Sequence, residues 1–160
     1  MADTFIKFDG VDGESVQSGH ENWIEIFGVQ MDASTPGGMD EGTGAGVGKA
    51  TIHGVSFSCK AGRHSPHLEK RFYEGTHFPN VVVHFLKQTG GEAGEKYFEL
   101  TMEKVFITAM SSSKSEGSLG TEAITLTAED YTREYFAQDG AGNLTSVGST
   151  KYNNKTGVSS

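Results

Sequence analysis

The residues best suited to chemistry are a glycine-rich stretch, six histidines, one cysteine and a run of serines. The stretch Gly42-Thr43-Gly44-Ala45-Gly46-Val47-Gly48-Lys49 invites a phosphate-binding reading. A phosphate loop needs glycine six residues before its lysine and Ser or Thr just after it. Those positions hold Thr43 and Ala50. The stretch also runs into an expected strand, whereas a phosphate cradle needs a helix N-terminus. The G-x-G-x-x-G dinucleotide spacing is missing as well. A flexible loop remains, in which glycine lets the backbone lie close to another chain.

The histidines are His20, His53, His64, His67, His77 and His84. His64 and His67 stand three apart, but Ser65-Pro66 between them marks a helix start, so the two need not share a face. Cys59 reads as alone on a strand. Zinc requires three or four converging groups, and none is evident, so no metal, catalytic or cofactor residue is assigned. The histidines are expected to be scattered polar residues, with His53 and His84 half-buried. No G-x-S-x-G elbow is present, and Ser111, Ser112, Ser113 and Ser115 read as a loop. Glu129–Asp130 are neighbours in an expected strand and point to opposite faces, the wrong geometry for an acid–base pair. The sequons at Asn143 and Asn154 are expected to be chance matches without a secretory signal. No catalytic constellation survives, and the chain is read as a non-enzyme.

The elements that would position these residues are mostly strands. Alternation or apolar runs predict them over Phe5–Phe8, Asn22–Met31, Ala50–Lys60, Asn80–Gln88, Lys96–Met110 and Glu122–Gln138. Trp23, Phe27, Val29 and Met31 should share the core-facing side of the second. Val81, Val83 and Phe85 oppose Val82, His84 and Leu86, which implies burial on both faces. The last two strands change phase, so bulges are expected near Glu103–Lys104 and Glu129–Asp130. Ser65 as N-cap, Pro66 at the first position, Leu68 and Phe72 on one stripe and Gly75 as stop predict one helix. Turns are expected at Asp12–Gly13, Gly90–Gly91 and Asp139–Gly142. The architecture is thus mainly β: a small antiparallel barrel of two packed sheets with one α-helix alongside. Residues 1–143 form this domain, and residues 144–160 are expected to be a loose polar tail.

Net charge is −8, and its placement is uneven. Residues 1–48 hold nine acids (Asp3, Asp9, Asp12, Glu14, Glu21, Glu25, Asp32, Asp40 and Glu41) against one base, Lys7. Such a surface repels phosphate backbones, which argues against nucleic-acid partners. No basic amphipathic helix or membrane-spanning run is present, so no membrane insertion is expected. One cysteine allows no internal disulfide, in keeping with a reducing cytoplasm. The start, MADTFIKFDG, lacks the basic and apolar segments of a signal peptide, so export, if it happens, is expected without one.

Five blocks in order resemble a known family: FIKFDGVDGES with His20 and WIEIFGVQM, GTGAGVGK with ATIHGVSF, SPHLEKRFYEGTHFPNVVV, KYFELTMEKVFITAMSSS, and EAITLTAEDYTREYFAQDGAGN. Together they resemble the Hcp (haemolysin-coregulated) proteins of bacterial type VI secretion over residues 3 to about 143. The resemblance implies a barrel like that of phage tail tubes, assembled into hexameric rings. The rings stack into a tube that carries effector proteins in its lumen and is driven out with a spike by a contractile sheath. It also implies that the glycine loop, including Gly38, Met39, Gly42, Gly44, Gly46 and Gly48, is an arm packing on the neighbouring subunit. Strand parity puts Gly28, Gln30 and Asp32 on a small, polar face suited to a lumen wall or, equally, to the outer solvent. The alternative is a soluble module that binds an effector or ligand without tube assembly.

Overall fold

The computed structural model describes residues 3–35, 49–87, 94–141 and 143–160. The elements run β1 (Thr4–Phe8), β2 (Ile24–Ser34), β3 (Thr51–Lys60), α1 (Ser65–Glu74), β4 (Phe78–Lys87), β5 (Glu95–Ser113), β6 (Thr121–Gln138), β7 (Leu144–Asn153) and β8 (Val158–Ser159). Neighbouring strands follow the order β3-β2-β1-β4-β5-β6-β7-β8, and every pairing is antiparallel. A further antiparallel pairing joins β3 to β6 and closes the first six strands into a barrel. Closure removes the open edges that an isolated sheet would present.

The barrel needs one strand to serve two neighbours, and β6 does so. Its first half, Thr121–Leu126, pairs with β3, while Asp130–Gln138 pairs with β7. The chain bends between the halves. Buried residues run Ile124, Leu126, Ala128 and then switch parity to Tyr131. In β5 they run Leu100, Met102 and then Val105, Ile107. Both phase changes fall where bulges are expected. The breaks face each other, with Glu103 opposite Asp130 and Val105 opposite Ala128, so pairing continues through them without a register shift. Lys104 takes the left-handed φ of 53° that the bend requires. The buried Tyr131 hydroxyl accepts the Ala128 N–H at 2.7 Å and pins the bend.

Several expectations need correction, among them the serine loop, since Ser111, Ser112 and Ser113 end β5. In β2 the buried residues are Ile24 and Ile26, and Phe27 is 50% exposed. A register irregularity between Phe27 and Gln30, with Gly28 at φ 66°, moves the inward parity to Val29 and Met31. In β4 an irregularity after Phe85 returns Leu86 to the buried set with Val81 and Val83, while Val82 and His84 are half-buried. The helix is capped by His64, without a side-chain cap bond. Ser65 is helical, with its hydroxyl accepting the Gly62 N–H at 3.1 Å. The turn expected at Asp12–Gly13 lies instead at Asp9–Gly10, where Gly10 has φ 80°. Gly13 serves a close approach, since a Cβ there would lie 2.7 Å from Ile24 Cγ1. The Asp139 turn forms as expected, its carboxyl accepting the N–H groups of Ala141 and Asn143 at 2.9 Å each. Gly90–Gly91 lies outside the described residues.

The segment from Leu144 is ordered strand rather than loose tail. Hydropathy hid it because β7 and β8 bury no residue. The core sits inside the barrel, where Ile6, Phe8, Phe78, Met102 and Tyr131 are almost wholly shielded. Leu68 packs α1 onto it, and the helix lies against β5. Gly75 ends the helix at φ 71°, its N–H and that of Thr76 closing on Phe72 and Arg71 carbonyls.

Candidate functional site

The expected arm residues Gly38, Met39, Gly42, Gly44, Gly46 and Gly48 lie outside the described residues. The two roots of that arm are described. On one side, Ser34 Oγ and His53 Nε2 meet at 2.6 Å. On the other, the Tyr152 hydroxyl donates to the Ala50 carbonyl at 2.5 Å, and Lys49 Nζ donates to the Lys155 carbonyl at 2.5 Å. The C-terminal strands therefore fasten the segment that follows the arm.

Gly28, Gln30 and Asp32 are all exposed on the outer side of β2. Gln30 Nε2 donates to Asp32 Oδ1 at 3.2 Å. Across the sheet Gln30 stands opposite Ser56, and Ser56 opposite Thr125. Facing residues in antiparallel strands share a side, and Ser56 and Thr125 join hydroxyls at 3.1 Å. The outer wall here is a row of small polar side chains over three strands. A groove of about 480 Å³ lies nearby, lined by Ile24, Ile26, Phe27, Lys60, His64 and Leu119 among others. Leu119 is 76% exposed at its rim. A monomer leaving Phe27 and Leu119 in water has apolar surface available to a partner.

Two buried polar clusters were not foreseen. Cys59 ends β3, His64 caps α1 and Glu122 begins β6, and all three are buried. Glu122 Oε1 accepts from His64 Nε2 at 3.2 Å and from Ser65 Oγ at 2.9 Å, with Cys59 Sγ at 3.8 Å. Cys59 Sγ and His64 Nε2 are 3.5 Å apart. Burial, then the Glu122 carboxyl, pushes the Cys59 thiol up to about 12. Burial lowers the His64 pKa against the opposing pull of Glu122. Cys59 is therefore far from solitary. Its partners come from two other elements, 5 and 63 residues away, with no sequence spacing to announce them.

The second cluster links His20 Nε2 to His84 Nδ1 at 2.9 Å, His84 Nε2 to Glu99 Oε2 at 2.6 Å, and Lys96 Nζ to the same oxygen at 3.0 Å. Phe5 stacks on His20, and Trp23 packs beside both histidine rings. Burial lowers both histidines, keeping them neutral near pH 7. Among the six histidines, His84 is half-buried as expected, His53 is exposed, and His20 and His64 are buried rather than scattered on the surface. Neither cluster places a nucleophile beside a base in an open cleft. Among the described residues, no helix is long and apolar enough to cross a membrane.

Comparison with known proteins agrees with this geometry. The family model described as "Type VI secretion system effector, Hcp" matches residues 5–135. Protein hcp1 of Pseudomonas aeruginosa is 29% identical over 141 residues, 88% of this chain and 86% of that protein. Among solved structures, one described as a type six secretion system protein superposes with a TM-score of 0.89 at 26% identity, each chain covered completely. Hcp1 from Salmonella typhimurium superposes at 0.81 with 26% identity, again over 100% of both chains. The family is one of structural, secreted tube proteins and not of enzymes. With a closed antiparallel barrel, a single described helix and a match spanning most of its length, the chain belongs to the Hcp family of type VI secretion proteins.

Proposed function

We propose that this protein is the tube subunit of a type VI secretion system, forming rings of six that stack and carry effector proteins in the lumen. The observation that carries the reading is the groove that sets the exposed Phe27 and Leu119 among the charged Glu14, Glu25 and Lys60, on a barrel whose first six strands close on one another. The six barrel strands close on one another, so assembly through the barrel wall uses its faces and loops. A ring of identical subunits joins two different patches around the axis. The groove supplies one patch, and the arm from Pro36 to Gly48 supplies the other. The polar row around Gly28, Gln30 and Asp32 then faces the lumen, where each side chain recurs in every subunit. In this account residues 1–143 are the tube domain and residues 144–160 are fastened outside it. The protein is made in the bacterial cytoplasm and leaves with the spike, driven by the sheath.

Light scattering on the purified chain tests the ring. A species of six times the 17.1 kDa chain mass is expected. A population holding only single chains at high concentration would overturn the ring and leave the reading of a soluble effector-binding module. For the lumen, Gln30→Arg should keep the ring and alter effector retention. Normal export by that variant, or its failure to form rings, would remove Gln30 from the lumen wall.

A further inference from the structure

The triangle of Cys59 Sγ, His64 Nε2 and Glu122 Oε1 has edges of 3.5, 3.8 and 3.2 Å. Tetrahedral zinc bound by one thiolate, one imidazole and one carboxylate sets sulfur about 3.5–3.6 Å from each lighter ligand and the nitrogen about 3.4 Å from the oxygen. The observed edges fall within about 0.3 Å of those values. We propose that Cys59, His64 and Glu122 form a zinc-binding site that ties the end of β3, the start of α1 and the start of β6 together.

Charge supports this assignment. A thiolate and a carboxylate neutralise a divalent cation, and the neutral imidazole adds no charge, so the loaded site can be buried without a net charge. On loading, the thiol proton leaves to solvent and the imidazole proton moves from Nε2 to Nδ1. The far side of the ring is prepared for that shift. His64 Nδ1 and Glu14 Oε2 lie 3.3 and 3.4 Å from the point a Gly62 Cβ would occupy. Glu14 thus stands on the Nδ1 side of the ring, where its carboxylate favours a proton on that side through space, with no hydrogen bond joining the two. Ser65 Oγ holds the ligating carboxyl at 2.9 Å and orients it. The ligand set numbers three, leaving a fourth position for water. His64, Gly62 and Glu14 all line the groove of about 480 Å³, which gives the ion a way in.

Cobalt(II) is the probe, since a cysteine thiolate on cobalt gives a charge-transfer absorption that carboxylates and histidines do not. The full chain is titrated with cobalt chloride both as the native protein and during refolding, and metal is counted after dialysis. One cobalt per chain with the thiolate band is expected in at least one of the two preparations, and zinc should displace it. Cys59→Ser should abolish the band and weaken uptake at least tenfold. Glu122→Gln should weaken uptake similarly while keeping the hydrogen bonds that hold the fold. The surface control His67→Ala should change nothing. Absence of the band in both preparations, or uptake undiminished in folded Cys59→Ser and Glu122→Gln, would overturn the site.

Discussion

The barrel strands β1–β6 and the C-terminal pair β7–β8 are held in place by different physics. Inside the barrel, apolar side chains such as Phe8, Val55, Met102 and Leu126 are removed from water. The C-terminal pair has no fully buried residue, only the half-buried Tyr152 packing on the core, and is held mostly by hydrogen bonds. Asn154 accepts the Ile52 N–H at 2.9 Å and donates to the Ile52 carbonyl at 3.0 Å, much as a strand would. Its own N–H reaches the Glu129 carbonyl at 2.7 Å, and Asn153 Nδ2 reaches Asp130 Oδ1 at 2.8 Å. These contacts lie where β6 leaves β3, at the bend around Glu129–Asp130. There the barrel wall would open, and the asparagine side chain takes over pairing at the start of β3. Burial builds the wall, and polar side chain-to-backbone bonds close it where one strand changes partner.

Met102→Ala should give the largest effect. Met102 is fully buried in the core, and such truncations cost about 2–5 kcal/mol. Equilibrium denaturation should show that loss, and a loss under 1 kcal/mol, on that same scale, would mean the wall does not depend on burial at this level. Asn154→Ala should cost less, about 2 kcal/mol, because it leaves the Ile52 amide and carbonyl without partners. If it costs as much as Met102→Ala, the two regions are equally deep supports and the contrast fails.

Acid tests the outer face of the wall, where Phe5, His84 and Glu99 stand side by side on β1, β4 and β5. His20 and His84 titrate below the ordinary histidine value because burial disfavours their charged forms. An unfolded chain therefore binds protons first as pH falls through about 6.5, and stability drops with it. Burial alone would raise Glu99, but its bonds to Lys96 and His84 outweigh that and hold it low. It adds a further loss below its ordinary value. The thermal midpoint should thus fall between pH 7.5 and 5.5, and His84→Gln should flatten that fall. An unchanged midpoint in the parent chain would show the histidines to be solvated. The smallest effect is expected for Lys104→Ala. Its 3.4 Å pair with Glu129 is half exposed, and such pairs contribute about 0–1 kcal/mol. A larger loss would make this ion pair, rather than the Tyr131 hydroxyl, the support of the bend.

The same contrast explains what could be read from the sequence. The barrel strands and their two phase changes are visible because a buried face leaves a period-2 record, as at Val55, Phe57 and Cys59. The Gly28 irregularity breaks that record locally, so parity favours the larger Phe27 although Ile26 is the buried residue. β7 left no record, since Leu144–Asn153 has no buried face and its hold depends on amides and a phenol. The Cys59–His64–Glu122 cluster was hidden for another reason. Antiparallel closure brings β3 and β6 side by side, with Cys59 opposite Glu122, and no local motif records a pairing across 63 residues.

Hydrogen exchange at the Ile52 amide tests the polar closure most directly. In Asn154→Ala it should exchange at least tenfold faster than in the parent chain, while the Ile124 and Val55 amides on the β3–β6 pairing stay protected. Unchanged protection at Ile52 would contradict the account, because the wall would then be closed without the asparagine.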